Sequence, residues 1–285
     1  MNQTRILEGK TALVTGGAGG IGFASAQALA KDGAAVLLMG RRRDALERAC
    51  RTLQDAVPRA TVTLHVGDAC RDDDMHAALA QASTLRDGVD VVVSTVGGGN
   101  FKPILMHNQQ SFREELELNI MSAFVAIRHA APRMAAQGGG SIVCISSTAA
   151  RLNFRWLSAY CTGKAGLEAL VRAAAEELAS ARIRVNAVRP GLTRSEATGP
   201  LFNNPALLDK FVEQVPLGNL GEPQQIASAV RYLAGPESGW VTGQSFAVDG
   251  GCELRTNPLL DDTIAHLYGE AALHAVRTGH VPVAA

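Results

Sequence analysis

Short apolar runs alternate with longer alanine-rich stretches over about the first 250 residues of the chain, and this alternation restricts the possible fold more than any other feature. The short runs are rich in β-branched residues and lack a polar residue at every second position, as strands buried on both faces do. The longer stretches between them have the periodicity of helices. The predicted strands are Thr11–Thr15, Ala35–Met39, Val62–Val66, Val89–Val93, Ser141–Ile145, Ile183–Val188 and Ser245–Val248. The predicted helices are Ile21–Lys31, Ala45–Ala56, Asp74–Leu85, Ser111–Arg133, Ala159–Ala181 and Pro223–Ala234.

This alternation predicts an α/β fold, a doubly wound parallel sheet of about seven strands with right-handed crossovers and helices on both faces. No linker, internal repeat or low-complexity tract divides the chain, so residues 1–253 are predicted to form one domain. Within it, segment 194–218 surrounds a partly helical Ala206–Val215 and is interpreted as a mobile cover over a site. Residues 254–285 form a C-terminal extension with a predicted amphipathic helix, Leu260–Val276. The extension is expected to pack against the body or a partner subunit, or to help close a pocket.

The charge balance limits the partners of this chain. Its 27 basic and 27 acidic residues cancel, so no long-range field favours nucleic acid or an anionic membrane as partner. No run approaches the roughly 18 apolar residues of a membrane span, and the N-terminal residues lack the apolar segment of a signal peptide. The five scattered cysteines are typical of reduced thiols, and the seven histidines have no metal-ligand spacing. These features predict a cytoplasmic protein without a metal site.

A glycine-rich turn follows the first predicted strand and opens the first predicted helix. It reads Thr15-Gly16-Gly17-Ala18-Gly19-Gly20-Ile21-Gly22. Glycines here allow a tight turn and the close approach of a pyrophosphate, which then binds the free N–H groups at the helix N-terminus. The strand before the turn and the helix after it supply the context that dinucleotide binding requires. The spacing matches the Thr-Gly-x-x-x-Gly-x-Gly turn, and in this the chain resembles the short-chain dehydrogenase/reductase family.

A phenol and an ammonium, Tyr160 and Lys164, lie four residues apart on one face of a later predicted helix. The strand before that helix ends at Ser146-Ser147-Thr148. Ligands of open parallel sheets bind at the carboxyl ends of the strands, so this pair and the glycine turn are expected to face the same crevice. The lysine cation and an oxidised nicotinamide ring would lower the tyrosine pKa from about 10, which would let Tyr160 exchange a proton with an alcohol or a carbonyl. The Ser147 hydroxyl would hold the same oxygen in line with the hydride.

The resemblance covers roughly residues 8 to 251 and implies a Rossmann-type fold with further site residues. It implies a catalytic group of Asn119, Ser147, Tyr160 and Lys164, in which Asn119 holds a water that links Lys164 to solvent. Lys164 is also expected to bind the nicotinamide ribose. Asp68 would contact the adenine, Asn186 and Pro190-Gly191 would lead to the nicotinamide, and Ser195 would bond its carboxamide. The predicted cofactor-binding residues are Thr15, Gly16, Gly20, Ile21, Gly22, Arg41, Asp68, Gly97, Tyr160, Lys164, Pro190, Gly191 and Ser195.

One segment departs from the family pattern. After the fourth strand the family usually reads Asn-Asn-Ala-Gly, whereas this chain reads Ser94-Thr95-Val96-Gly97. Ser94 cannot make every bond of an asparagine amide, so cofactor affinity or sheet stability is expected to differ. The residues that follow, 97–103, resemble a glycine-rich loop of some bacterial hydroxysteroid dehydrogenases.

NADP(H) is the predicted cofactor, with NAD(H) as the alternative. Where members that prefer NAD usually end the second strand with an aspartate, this chain has Gly40, followed by Arg41-Arg42-Arg43. A carboxylate there would repel a 2′-phosphate, whereas a glycine leaves space for it and the planar Arg41 guanidinium can bond it. The competing interpretation is that the arginines only begin a solvated helix. Gly19 also stands where many NADP-dependent relatives carry a basic residue.

These features together predict an oxidoreductase, a ketoreductase or alcohol dehydrogenase that acts on a small-molecule carbonyl or secondary alcohol: a ketone, a 3-oxoacyl compound or a hydroxysteroid-like compound. A catalytically inactive dinucleotide-binding regulator and an epimerase or dehydratase are the alternatives. The predicted pocket walls are residues 97–106, 149–157 and 194–215. Arg151, Arg155 and Arg194 leave room for an acidic substrate, and a steroid, cyclic ketone or aryl ketone fits the sequence equally well. His107 is assigned either to the pocket or to the surface, and Cys161 to packing.

A homo-oligomer, specifically a tetramer, is also expected. Family members commonly pair through the helices that correspond to Ser111–Arg133 and Ala159–Ala181, and Ala173-Ala174-Ala175 would permit close helix approach.

Overall fold

Parallel strands form a single seven-stranded sheet in this computed structural model, which describes residues 5–196, 198–199 and 203–279. The strands are β1 (Thr11–Thr15), β2 (Ala35–Gly40), β3 (Val62–Val66), β4 (Val91–Ser94), β5 (Gly140–Ile145), β6 (Ile183–Pro190) and β7 (Ser245–Val248). Their spatial order is β3-β2-β1-β4-β5-β6-β7. The order reverses between β1 and β4, the point at which open sheets of this kind form a crevice. The predicted doubly wound α/β fold is confirmed.

Helices cover both faces of the sheet. They are α1 (Gly20–Lys31), α2 (Arg43–Ala56), α3 (Asp72–Ser83), α4 (Gln109–Leu116), α5 (Ser122–Ala136), α6 (Ser158–Leu178), α7 (Pro205–Val212), α8 (Pro223–Ala234), α9 (Asp261–Tyr268) and α10 (Glu270–Thr278). A π-helical turn, Glu117–Met121, joins α4 to α5. None of these helices is both long and apolar enough to cross a lipid bilayer.

Successive residues of β1 enter two different apolar cores. Leu13 packs into the core that α3, α5 and α6 cover, whereas Ala12 and Val14 pack into the core under α1, α2 and α8. Side chains alternate across a strand, so a strand between two helical layers must be apolar at every position. Complete burial of one such leucine or valine contributes about 1.5–3 kcal/mol. The unbroken apolar runs of the sequence therefore become the centre of the molecule.

The fourth strand was predicted two residues too early. It begins at Val91 because the backbone of Val89 bonds to a side chain instead of a neighbouring strand. Val89 N–H donates to Gln137 Oε1 at 3.1 Å, and Gln137 Nε2 donates to the Val89 carbonyl at 2.8 Å. Most other predicted element ends agree or differ by one or two residues, as helix and strand ends commonly do, but α6 ends at Leu178 instead of Ala181.

Two stretches predicted as single helices are interrupted. Ser111–Arg133 is split by the π-helical turn, in which Asn119 Nδ2 donates to the Glu115 carbonyl at 2.8 Å. Leu260–Val276 breaks at Gly269, whose φ of 80° lies in the left-handed region that favours glycine. Segment 194–218 remains a predicted cover; its helix occupies Pro205–Val212, and its positions 197 and 200–202 lie outside the described residues.

Candidate active site

The glycine-rich turn links β1 to α1 at the carboxyl edge of the sheet. Gly16 and Gly20 have φ of 62° and 35°, in the region that other residues rarely adopt. A Cβ at Gly16 would overlap Thr95 Oγ1, and a Cβ at Gly22 would overlap the Gly16 carbonyl. Gly19 precedes the helix and has no side chain to cap its first N–H groups, and a Cβ built there meets nothing within 4 Å. The turn therefore presents open space and backbone donors at a helix N-terminus, which suits an anionic pyrophosphate.

Thr95 ties β4 to β1 beside this turn. Its Oγ1 donates to the Thr15 carbonyl at 2.5 Å, and its N–H donates to Thr15 Oγ1 at 3.1 Å. Ser94 before it is buried, with 3% of its surface exposed. The connection between these strand ends is therefore made at Thr95, in the segment that departs from the family pattern. The sequence analysis missed Thr95, although a second hydroxyl residue at a strand end was the available signal.

Tyr160 and Lys164 project from the first turns of α6 towards the end of β5. Lys164 is 2% exposed, and its Nζ donates to the Ile145 carbonyl at 2.8 Å. The same Nζ lies 5.8 Å from the centre of the Tyr160 ring. Ser147 lies two residues beyond the end of β5; its Oγ accepts the Ala149 N–H at 3.1 Å and is close enough to Tyr160 to lower the pKa of that phenol. The structure thus brings together the serine, tyrosine and lysine that the sequence analysis selected.

Burial controls the proton affinities of this group. It raises the pKa of Tyr160 above its ordinary value, while the nearby Ser147 hydroxyl acts in the opposite direction. It lowers the pKa of Lys164 to about 8, opposed by Cys144. The lowering expected from Lys164 together with an oxidised nicotinamide ring stays a prediction for the cofactor complex; in the protein alone, loss of hydration around the phenol makes the direction upward.

Asn119 holds the loop that follows β4. Its Oδ1 accepts the Gly98 N–H at 3.1 Å, and its Nδ2 donates to the Gly98 carbonyl at 2.7 Å. A Cβ at Gly97 would lie 2.6 Å from Lys164 Nζ and 2.7 Å from Asn119 Oδ1, and a Cβ at Gly99 would lie 2.6 Å from Tyr160 Cβ. The glycines therefore allow this loop to lie directly on the catalytic side chains. Gly99 is a contact that the sequence analysis did not identify.

The ends of β2 and β3 form the side of the crevice where the adenosine half of a dinucleotide is expected. A Cβ at Gly40 would lie 3.6 Å from a Leu46 methyl group, an ordinary contact, so glycine is not required there by packing. Arg41 is exposed. Asp68 Oδ1 accepts the Cys70 N–H at 3.0 Å. Cys70 has its pKa raised to about 11, mainly by burial and by Asp68, while Arg41 lowers it, so both charges lie near this thiol.

The segment that follows β6 starts beside the end of β7 and reaches the glycine turn at Ser195. Gly191 packs on the Asp249 backbone, where a Cβ would come within 2.9 Å of Asp249 Cα. A Cβ at Gly20 would lie 2.9 Å from Ser195 Cβ, which places Ser195 above the turn. Ser195 Oγ is 3.0 Å from Thr198 Oγ1.

Asn186 lies inside the sheet instead of in the crevice. Its Nδ2 donates to the Val241 carbonyl at 2.9 Å and its Oδ1 accepts the Gln244 N–H at 3.0 Å, and the side chain is fully buried. Asn186 therefore fixes the segment that leads into β7.

The structure also shows the surroundings of Cys161, His107 and Arg155. Cys161 is buried beside Phe154, and burial raises the pKa of its thiol, which agrees with packing and not with a nucleophile. His107 Nδ1 lies 3.3 Å from Ser111 Oγ, whereas Arg155 pairs with Asp261. Within the described residues, no three histidine, cysteine or acidic side chains converge in a way that could hold a metal ion.

Comparisons with known proteins show the family to which this chain belongs. A family model described as enoyl-(acyl carrier protein) reductase matches residues 16–253. The galactitol 2-dehydrogenase (L-tagatose-forming) of Cereibacter sphaeroides is 35% identical over 247 residues, which cover 86% of this chain and 95% of that protein. A short-chain type dehydrogenase/reductase from Mycobacterium ulcerans superposes with a TM-score of 0.90 at 31% identity, covering 94% of this chain and 98% of that one.

A 7α-hydroxysteroid dehydrogenase, solved in complex with NADH and 7-oxoglycochenodeoxycholic acid, superposes with a TM-score of 0.83. It is 32% identical, with 90% of this chain and 98% of that chain covered. The chain belongs to the short-chain dehydrogenase/reductase family, whose members are nicotinamide-dependent oxidoreductases.

Proposed function

We propose that this chain is a nicotinamide-dependent dehydrogenase/reductase that interconverts a ketone and a secondary alcohol, with Tyr160 as the general acid and base. The observation that carries the proposal is the grouping of Ser147, Tyr160 and Lys164 at the same sheet edge as the glycine turn. A dinucleotide stretched along that edge from the turn would reach these side chains.

Each residue of the site has its own role in the proposed reaction. Ser147 donates a hydrogen bond to the substrate oxygen and fixes its position, which removes part of the entropic barrier. Tyr160 keeps its proton at neutral pH because burial raises its pKa, and it is therefore ready to protonate the oxygen of a ketone. Lys164 places a cation beside the phenol and stabilises the phenolate that remains. The bound nicotinamide supplies or accepts the hydride. Asn119 holds the loop over the site.

The described residues fit the dinucleotide. Gly16 and Gly22 allow the turn to close tightly on Thr95 and on its own backbone, the space around Gly19 is open, and no side chain caps the first N–H groups of α1, which leaves them for a pyrophosphate. Ser195 lies above the turn, where it could bond the carboxamide of a bound nicotinamide.

NADP(H) is the proposed cofactor. Arg42 pairs with Glu196 at 3.3 Å and Arg43 with Glu47 at 4.0 Å, whereas no acidic partner of Arg41 is found in the part of the chain that the structure describes. Arg41 is therefore the guanidinium at the end of β2 that is open to a 2′-phosphate. A charge-assisted hydrogen bond contributes about 1.5–3 kcal/mol, which corresponds to roughly a 10- to 100-fold preference.

Cofactor preference is measured as kcat/KM with NADPH and with NADH. The double variant Gly40→Asp plus Arg41→Ala should prefer NADH, since it gains a carboxylate and loses the cation. Arg43→Ala, which removes an arginine already paired with Glu47, is the matched control and should keep the native preference. A native preference for NADH, or a double variant that still prefers NADPH, would overturn this part of the proposal.

Initial rates on a panel of ketones and alcohols, with wild type and Tyr160→Phe, test the activity itself. Loss of the transferable proton should reduce turnover by about 10²- to 10⁴-fold while the fold and cofactor binding remain. An inactive regulator would bind the dinucleotide without consuming it, and an epimerase or dehydratase would change its substrate without net change of the cofactor. Either result would contradict the proposal.

A tetramer is proposed as well. Met121 and Phe124, near the start of α5, expose apolar surface, and so do Trp240 and Phe246 near the edge strand β7. Two separate apolar regions agree with a protein that pairs through two interfaces. Light scattering that shows a monomer at micromolar concentration would refute this.

A further inference from the structure

An apolar wall continues outward from Tyr160. Tyr160 packs with Ala149, Leu157 and Cys161 in a small cluster that also includes Phe101 and Phe154. Phe101 and Phe154 belong at the same time to a second cluster, built on Trp156, Leu207, Phe211, Leu260 and Ile264. The two clusters meet at these phenylalanines, so apolar surface runs without a break from the catalytic phenol to α7 and α9.

Aromatic edge-to-face packing fixes the shape of this wall. The Phe154 ring lies 5.4 Å from Phe101 at an interplanar angle of 83°, and 5.8 Å from Phe211 at 73°. Such pairs hold the rings in defined orientations. Neither Phe101 nor Phe154 is fully buried, so both offer apolar surface beside Tyr160.

The C-terminal extension completes the wall. Tyr268 Oη donates to the Phe101 carbonyl at 2.6 Å, across 167 residues of sequence. Trp156 Nε1 donates to Asp261 Oδ1 at 3.3 Å, and the Lys102 N–H donates to the Trp156 carbonyl at 2.7 Å. Trp156 has a φ of 72°, a strained value for a bulky residue that persists only where neighbours hold it. The extension is thus connected to the loop that lies over Tyr160.

Three arginines near the predicted pocket walls, which the sequence analysis considered as partners for an acidic substrate, pair with carboxylates of the chain itself. The pairs are Arg155 with Asp261 at 2.8 Å, Arg151 with Glu253 at 3.7 Å and Arg194 with Glu222 at 3.1 Å. Lys102 Nζ donates to Ser111 Oγ at 3.5 Å. A substrate carboxylate brought to this wall would lose water, and the three arginines that could compensate its charge already pair with carboxylates, so its binding is costly.

We propose that the substrate is a neutral ketone or alcohol whose reacting carbon carries a bulky apolar group, alicyclic or aryl, that packs against Phe101 and Phe154 under the C-terminal extension. This inference rests on the proposed oxidoreductase function. It selects among the substrate classes that the sequence left open and sets acidic and polyol substrates aside.

Methyl ketones from 2-butanone to 2-octanone give the first test. Each added methylene that enters an apolar pocket should raise kcat/KM by up to about fourfold, the equivalent of about 0.8 kcal/mol. 2-Octanone should exceed 7-oxooctanoate, which carries a carboxylate at the other end of the same carbon chain, by at least about 30-fold, and should exceed L-tagatose by more. A flat series, or a preference for the carboxylate or the sugar, would overturn the inference and leave the oxidoreductase function standing.

Binding gives a readout that is independent of turnover. The chain has two tryptophans, Trp156 in the wall and Trp240, which is fully exposed. In a Trp240→Phe variant, Trp156 alone reports on the wall. Titration of the cofactor-loaded protein, followed by quenching of this fluorescence, should give a lower dissociation constant for 2-octanone than for 7-oxooctanoate. Tighter binding of 2-octanone without any turnover would refute the proposed function alone. Equal affinities for the two compounds, or tighter binding of 7-oxooctanoate, would refute the substrate class alone.

Matched variants locate the specificity. Phe154→Ala should flatten the methylene series, because the distant part of the substrate loses its contact; the slope is compared within the variant, whatever its rate with 2-butanone. Leu267→Ala, on α9 but 56% exposed, is the control and should keep the wild-type slope. Tyr268→Phe, which loses the bond to the Phe101 carbonyl, should weaken binding of 2-octanone more than that of 2-butanone. A Phe154→Ala slope equal to that of Leu267→Ala would show that the wall does not contact substrate.

Discussion

Gly97→Ala is a small change that should have a large effect on activity. The new methyl group would lie 2.6 Å from Lys164 Nζ and 2.7 Å from Asn119 Oδ1, whereas unstrained contacts between such atoms lie near 3.5 Å or more. The ammonium must therefore move by about 1 Å. Lys164 is 2% exposed and bonded to the Ile145 carbonyl at 2.8 Å, so it cannot move without losing that bond.

The expected cost follows from this geometry. Adding a methyl group to a filled interior costs about 1–3 kcal/mol. The atom that yields most easily is the end of the lysine side chain, so we expect most of this cost in catalysis and little in stability. At about 1.36 kcal/mol for each factor of ten, kcat/KM should fall about 5- to 150-fold. The dissociation constant of the cofactor should rise as well, because Lys164 is its expected ribose ligand.

The adjacent glycine provides the control. A Cβ at Gly98 meets nothing within 4 Å, and its backbone bonds with Asn119 do not depend on the side chain. Gly98→Ala should therefore stay within about twofold of wild type. Steady-state kinetics and thermal unfolding of both variants check the reasoning. Gly97→Ala with wild-type kinetics, or equal losses in the two variants, would show that the loop does not set the position of Lys164.

Two further predictions concern buried charges. Lys164→Met should raise the melting temperature at pH 7, since the folded protein carries an ammonium whose pKa is lowered to about 8 from 10.5. Between about pH 8 and 10.5 the unfolded wild type binds more protons than the folded protein, so wild type gains stability and the advantage of the variant should shrink. An advantage that does not change with pH would contradict this. Arg189→Met should cost about 3–5 kcal/mol of unfolding free energy, because Glu168 and Glu253 lose the guanidinium that lies 3.4 and 2.7 Å from them. Arg48→Met, in an exposed pair, should cost less than about 1 kcal/mol, and denaturant unfolding curves that give both variants the same loss would refute the assignment.

The fold was predictable because its information is local. A strand covered on both faces must be apolar throughout, and β1 shows that pattern within five residues. The start of β4 was not predictable, because the side chain of Gln137, 48 residues away, hydrogen-bonds the backbone of Val89. The π-helical turn at Glu117–Met121 escaped detection as well, because helical periodicity does not reveal one extra residue in a turn.

The candidate site shows the same division. Tyr160 and Lys164 share a helix face and could be paired by spacing, and Ser147 follows from its place at a strand end. Thr95 bonds Thr15 across 80 residues and Tyr268 reaches Phe101 across 167, so neither contact has a local signal. In the protein without a bound nicotinamide, burial raises the Tyr160 pKa, and this burial comes from segments that helix spacing does not reveal.

Transfer of a labelled hydride tests the central claim most directly. The protein would be incubated with a neutral ketone and with nicotinamide cofactor carrying deuterium at one face of C4, and the product would be analysed by mass spectrometry. The account predicts one deuterium on the carbinol carbon from a single face of the cofactor, with the rate reduced about 10²- to 10⁴-fold in Tyr160→Phe. A product without deuterium, or an undiminished rate in the variant, would contradict it.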